Sequence, residues 1–221
     1  MYRKDYLLRL VEEMTQVISK VFGLKHQKKH TEALWEIDEM LSRQFRLNSK
    51  LLNSLSAEGI VQLFRSGEIV EADKLQSAAR LLEEEAEIYL DMDKPEEGNT
   101  LLEKVLHLYL SASIFGGDPK LFELPKRILS LQERIRPYGL TDETERLLFT
   151  YTEQRGDYAA AEDSLYRLLG HEAVEYREGE LFYQRLLALN PELLEKGRLP
   201  LAEVEAGLLE LKQQYSHQTK T

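Results

Sequence analysis

One turn-and-helix phrase constrains this chain more than anything else in it. At Gly156-Asp157-Tyr158-Ala159-Ala160-Ala161-Glu162 one helix stops and the next starts at once. Looser versions stand at Lys28-Lys29-His30-Thr31-Glu32-Ala33 and at Met92-Asp93-Lys94-Pro95-Glu96-Glu97-Gly98. The three lie about 64 residues apart, and a turn chemistry that recurs between amphipathic helices is the mark of stacked helical units. Chains of that kind work by presenting surface.

The segments between these turns give the same answer. Leu7, Val11, Met14, Ile18 and Val21 keep three-and-four spacing, which predicts a helix over about 4–22 with Gly23 as its C-cap. Leu34, Ile37, Leu41 and Phe45 predict a second over about 30–46. Two short helices follow between 48 and 66, with Ser56 as an N-cap and Gly67 as a terminator. Leu75, Ala79, Leu82, Ala86 and Tyr89 mark the longest helix, about 71–92, and Pro95 opens the next. Gly116-Gly117-Asp118-Pro119 is a break. Beyond it come a segment to about 136 interrupted at Pro125, and helices over about 141–155, capped by Thr141, 157–169, 172–189 and from 200 to 215. Alternation of period two is missing, so essentially no sheet is expected. The expectation is an all-α protein of about 9–11 helices in one domain over 1–215. A bend is placed near 116–119, and 216–221 form a frayed tail.

At these residues the chain resembles tetratricopeptide-repeat proteins. Gly156-Asp157-Tyr158 followed by Ala161, Leu165 and Leu168 matches the second-helix half of such a repeat. Tyr89 followed by Gly98, Leu102 and Val105 is a weaker match, and Gly179, Tyr183, Leu186, Leu187, Leu189, Asn190 and Pro191 resemble a repeat's end. The resemblance implies a right-handed array of antiparallel helix pairs, a solenoid in which Ala161, Gly98 and Gly179 let backbones approach. It departs from the family's pattern in three ways. The early Trp of each first helix is missing, Phe149 stands where a small residue is usual, and the spacing is not a multiple of 34. The helices can be cut into pairs in two phases. The opening Met1-Tyr2-Arg3-Lys4-Asp5-Tyr6 is similar to an uncharacterised family of helical proteins from Bacillus-type Gram-positive bacteria, which brings no function with it.

Lys plus Arg number 29 and Asp plus Glu 39, a net charge of −10 that opposes nucleic-acid phosphate and anionic lipid. Cysteine is missing, which removes disulfides, thiolate metal sites and Cys nucleophiles and fits a reducing cytosol. No apolar run suits a signal peptide or a membrane span, so a cytoplasmic protein is expected. No phosphate-binding Gly-rich loop, HExxH or Gly-x-Ser-x-Gly occurs, and the reading is non-enzymatic, with no cofactor.

What remains is a scaffold that binds a peptide or protein segment on the concave face of the array. Gln76, Arg80, Glu83 and Glu84 from one first helix and Arg146 and Thr150 from another are the groove candidates, as long polar side chains able to grip a backbone. The alternative is a self-assembling homo-oligomer, with a metal-dependent enzyme a distant third. His26 and His30 share metal-ligand spacing, but a solvated basic patch with Lys25, Lys28 and Lys29 explains them better. The run Glu83, Glu84, Glu85 and Glu87 reads first as a solvated helix face. Trp35 lies off the apolar stripe and either anchors a partner or, in the preferred reading, packs on the short helices after Asn48. Tyr151, Tyr158, Tyr166, Tyr176 and Tyr183 are read as half-buried packing residues before groove-lining ones.

Overall fold

The computed structural model describes residues 2–218 in backbone and 5–214 in side chain. It is all-helical, 80% helix, with twelve α-helices among the described residues. They are α1 Tyr2–His26, α2 His30–Phe45, α3 Ser49–Ser54, α4 Ala57–Leu63, α5 Ala72–Asp91, α6 Pro95–Ile114, α7 Leu124–Ile135, α8 Asp142–Gln154, α9 Tyr158–Gly170, α10 Tyr176–Leu187, α11 Pro191–Lys196 and α12 Leu201–Gln218. The chain forms two compact units, one up to Leu140 and one from Thr141. The division falls at 140/141, and the 116–119 break lies inside the first unit.

Six helix ends share one geometry. At each, a residue with positive φ is followed by one whose N–H reaches the carbonyl five residues back. The positive-φ residues are Lys28 (57°), Asp93 (62°), Gly116 (83°), Gly156 (74°), Glu172 (57°) and Arg198 (61°). The bonds are Lys29 N to Leu24 O at 2.9 Å, Lys94 to Tyr89 at 3.0 Å, Gly117 to Ala112 at 2.8 Å, Asp157 to Thr152 at 3.0 Å, Ala173 to Leu168 at 2.9 Å and Leu199 to Leu194 at 3.1 Å. This is the Schellman stop, which satisfies carbonyls the helix leaves orphaned. Three of the stops join packed helix pairs through three residues only: α1 to α2, α5 to α6 and α8 to α9. Five residues after each of these left-handed residues stands a small buried one, Ala33, Gly98 or Ala161. The recurring phrase of the sequence is therefore one helical hairpin made three times.

In the first unit α5 packs against α1, α2 and α6, and α6 also against α4 and α7. The core centres on Leu75, Leu82, Leu102, Leu106 and Tyr109, all fully buried. In the second, Phe149, Ala161, Leu165, Phe182, Tyr183, Leu194, Val204 and Leu211 form one apolar cluster. Asn48, Ser56, Thr141, Asp157 and Asn190 cap α3, α4, α8, α9 and α11 through their side chains.

Several expectations are corrected. Gly23 does not end α1, which continues to His26, because the stop is made by Lys28. Gly67 ends no helix. It turns a two-residue antiparallel ribbon, β1 Arg65–Ser66 with β2 Ile69–Val70, where its φ of 63° favours glycine. Pro125 opens α7 instead of interrupting a helix, since its missing donor costs nothing in a first turn. Helix α12 is described to Gln218, and 219–221 of the expected tail lie outside the described residues. No helix among the described residues is long and apolar enough to cross a membrane.

Candidate interaction surfaces

Four of the six groove candidates meet on α5, but most of their polar groups are turned to the chain itself. Gln76 is fully buried. Its Nε2 donates to the carbonyls of Asp118 at 3.1 Å and Leu121 at 3.2 Å, while Asp73 accepts from the Asp118 N–H at 2.9 Å. The segment from Gly116 to Glu123 is thus strapped over α5. A Cβ at Gly117 would sit 2.6 Å from Gln76 Oε1, so the close approach requires glycine. Gln76 cannot grip a partner as the sequence pattern suggests, because α5 is covered on the side that periodicity leaves open.

The strap continues through charge. Arg80, only 7% exposed, donates from Nη2 to Glu84 at 2.5 Å, and its Nη1 lies 3.7 Å from Glu83. Glu83 accepts from the Tyr109 hydroxyl at 2.7 Å and from Arg127 at 2.9 Å. Arg127 also donates from Nε to the Phe122 carbonyl at 2.8 Å. Phe122 and Glu123 are held at positive φ, 53° and 55°. Burial lowers the Arg80 pKa, but Glu84 and Glu83 more than reverse this and hold the guanidinium above its usual range. Burial, then Glu83, pushes the Tyr109 hydroxyl well up. Two guanidinium groups and two carboxylates close on one another here, an arrangement that fixes a loop.

The Glu83–Glu87 run is accordingly no open acidic face. Glu87 pairs with Arg134, and Glu85 is buried. Glu85 Oε1 accepts from Asn53 Nδ2 at 2.7 Å and from the Tyr89 hydroxyl at 3.2 Å. Burial, opposed by hydrogen bonds from Asn53, Ser49 and Tyr89, raises its pKa. Burial, then Glu85, pushes Tyr89 up to about 12. Nearby Lys104 Nζ donates to the carbonyls of Leu52, Asn53 and Leu55 at 3.2, 3.0 and 2.6 Å, stapling α6 to the end of α3. A cleft of about 570 Å³ lies beside these groups, lined by Asn53, Tyr89, Thr100 and Lys104 among others. The sequence signal for Glu85 is its place in the stripe, three residues after Leu82 and four before Tyr89.

Arg146 and Thr150 belong to the second unit. Arg146 Nη1 reaches Glu178 at 3.2 Å and Nη2 donates to the Ala173 carbonyl at 2.6 Å, with the side chain 47% exposed. Thr150 donates to the Arg146 carbonyl at 3.0 Å. The tyrosines of this unit are packing residues with hydroxyls placed at polar groups or the surface. Tyr183 is fully buried and donates to Glu162 at 2.6 Å, while Tyr151 is 7% exposed. Tyr158, Tyr166 and Tyr176 are half-buried.

Trp35 departs from its preferred reading. It is 60% exposed on α2, not packed away on the helices after Asn48. Asp38, one turn on, is the residue that meets α3, accepting from Ser49 N at 2.7 Å. His26 and His30 stand on either side of the first Schellman turn and line an open cavity of about 860 Å³ with Lys25, Lys28, Asp91 and Asp93. Lys25 pairs with Asp91 at 3.2 Å. No group of three or more His, Asp or Glu among the described residues is placed to hold a metal ion.

No curated protein and no solved structure matches this chain. A family model does, over residues 1–216. With nearly its whole length matched, the chain belongs to DUF6483, a family of unknown function.

Proposed function

We propose that this protein is a non-enzymatic interaction scaffold, a tetratricopeptide-like right-handed array of antiparallel helix pairs that binds a peptide or protein segment. The observation that carries the reading is the hairpin made three times, with left-handed residues Lys28, Asp93 and Gly156 and small buried residues Ala33, Gly98 and Ala161 at one fixed offset. Repetition of one packing unit builds extended surface, and extended surface is how such folds bind. A cytosolic setting in a Bacillus-type bacterium suits the lack of cysteine and the N-terminal similarity.

Of the groove candidates Arg146 is the one to test. Its exposed guanidinium can exchange Glu178 for a partner carboxylate at little cost, since such surface pairs contribute about 0–1 kcal/mol. Partners captured from cell extract by wild type and by Arg146→Ala are compared, with thermal stability measured in parallel. Loss of a specific partner at unchanged stability supports the scaffold, and identical partner lists place its surface elsewhere. Self-assembly is the second reading, favoured by the exposed Leu193 and Leu209 of the second unit. Light scattering that shows a monomer at all concentrations removes it.

A further inference from the structure

Trp35 is the single tryptophan of the chain, and it stands 60% exposed in the middle of a well-formed helix. Its neighbours along the same face are Glu32, three residues before, and Glu39, four residues after, both exposed. Residues so spaced sit side by side on a helix, with Cβ atoms about 5–6 Å apart. Among the described residues, neither Glu32 nor Glu39 pairs with a cation. The remaining acids of α2 are engaged: Glu36 by Lys20 and Asp38 by the Ser49 N–H. The face therefore offers an indole flanked by two uncommitted carboxylates.

We propose that this face of α2 is a docking surface for a basic segment of a partner protein, one that lays an Arg or Lys side chain on the indole between Glu32 and Glu39. The proposal rests on the scaffold reading and gives the partner its chemistry. Charge complementarity selects this occupant. A cation over an indole face is attracted by the ring quadrupole, and tryptophan gives the strongest such contact. The carboxylates on either side supply charge-assisted hydrogen bonds to the same group. Exposed tryptophans are also favoured as binding hot spots. The net charge of −10 draws a basic segment towards the molecule.

The single tryptophan makes the test direct, because its fluorescence reports on this face alone. The full chain is titrated with a capped hexa-arginine peptide and with a capped hexaglutamate peptide at low salt. A saturable change with the first and none with the second is expected. Glu32→Gln with Glu39→Gln weakens binding about thirtyfold, taking each exposed pair at its upper magnitude. The control Glu68→Gln with Glu195→Gln removes the same charge from exposed positions that do not flank Trp35 along α2 and weakens it less than about twofold. Trp35→Ala, followed by calorimetry, weakens it about fivefold, in line with loss of a cation–π contact. All these positions are exposed, so the variants keep the wild-type melting temperature.

Equal weakening by the two glutamate pairs overturns the proposal, since it reduces the effect to overall charge. Fluorescence that changes with protein concentration in the absence of peptide also overturns it, because a second copy then covers the face. Silent fluorescence overturns it as well. If the partners captured from extract still respond to Arg146→Ala in that case, the scaffold reading stands while the Trp35 docking face falls.

Discussion

Gly98 of α6 lies so close to Leu90 of α5 that a Cβ on the glycine would sit 2.6 Å from Leu90 Cγ and 3.2 Å from the Ala86 carbonyl oxygen. The hairpin closes at this contact. Gly98→Ala must move Leu90 or part the helices, and overpacking of this kind costs about 1–3 kcal/mol. Ala161→Leu, at the equivalent and fully buried position of the α8–α9 hairpin, should cost a similar amount. Gly23 is the contrast. It lies inside α1, and a methyl group added there would meet nothing within 4 Å, so Gly23→Ala should stabilise by about 0.5–1 kcal/mol through helix propensity. Urea denaturation of the three variants checks this, and a destabilising Gly23→Ala contradicts the path of α1.

The three hairpin stops use one backbone conformation but different residues. Gly156 adopts its φ of 74° freely, whereas Lys28 at 57° and Asp93 at 62° carry a Cβ in the left-handed region. Gly156→Ala should therefore destabilise, and Lys28→Gly and Asp93→Gly should stabilise, each by up to about 1–2 kcal/mol less the entropy of a freer unfolded chain. Thermal melts of the single variants test it. Opposite signs at 156 and at 28 and 93 are the expected pattern.

Glu83 joins α5 to α6 and α7 by accepting from both Tyr109 and Arg127. Glu83→Ala leaves the Tyr109 hydroxyl and the Arg127 guanidinium without their shared acceptor, and Arg80 without one of its two neighbouring carboxylates, in a partly buried place. The expected loss is about 2–4 kcal/mol, towards the range for breaking a buried pair. Proteolysis should then begin within 116–123, the segment that Arg127 holds through the Phe122 carbonyl. A stability equal to wild type removes the strap as an energetic feature.

The hairpins are legible in the sequence because turn and packing chemistry coincide there. A residue able to adopt positive φ, a helix start and a small residue stand at fixed offsets, and all three are local. What periodicity cannot reveal is the side on which a helix with a single stripe will be covered. Gln76 and Arg80 lie off the stripe of α5 and read as exposed, yet the segment after Gly116 folds back over Gln76, and Arg80 is buried beside Glu83 and Glu84. The same blindness acts in reverse at Trp35, whose size suggests burial although it stands 60% exposed. Gly67 reads as a helix stop because its neighbours are too few to show the alternation of a two-residue ribbon. The separation at 140/141 has no composition signal, for Thr141 also caps the following helix.

Burial of a carboxyl group also gives this fold a pH dependence. Glu85 is buried among Asn53, Ser49 and Tyr89, with the Asp38 carboxylate near enough to disfavour its charge and Lys104 near enough to favour it. Burial dominates, so the folded-state pKa lies above the unfolded value of about 4.3. In the window between the two, the folded chain binds more protons than the unfolded one, and stability falls as pH rises. The contribution of Glu85 is fully favourable below the unfolded pKa and is lost as pH climbs through the folded one. Glu162 is raised in the same direction, by burial first and against the Tyr183 hydrogen bond, so total stability cannot isolate one group. Glu85→Gln can, because the amide keeps an acceptor for Asn53 and Tyr89 and cannot ionise. The variant should be more stable than wild type at neutral pH, and the difference should shrink steadily on acidification through the window. Melting temperatures of both proteins across that range give the difference curve. Parallel curves would mean that Glu85 titrates alike in the folded and unfolded chains, and that its burial against α3 carries no electrostatic cost.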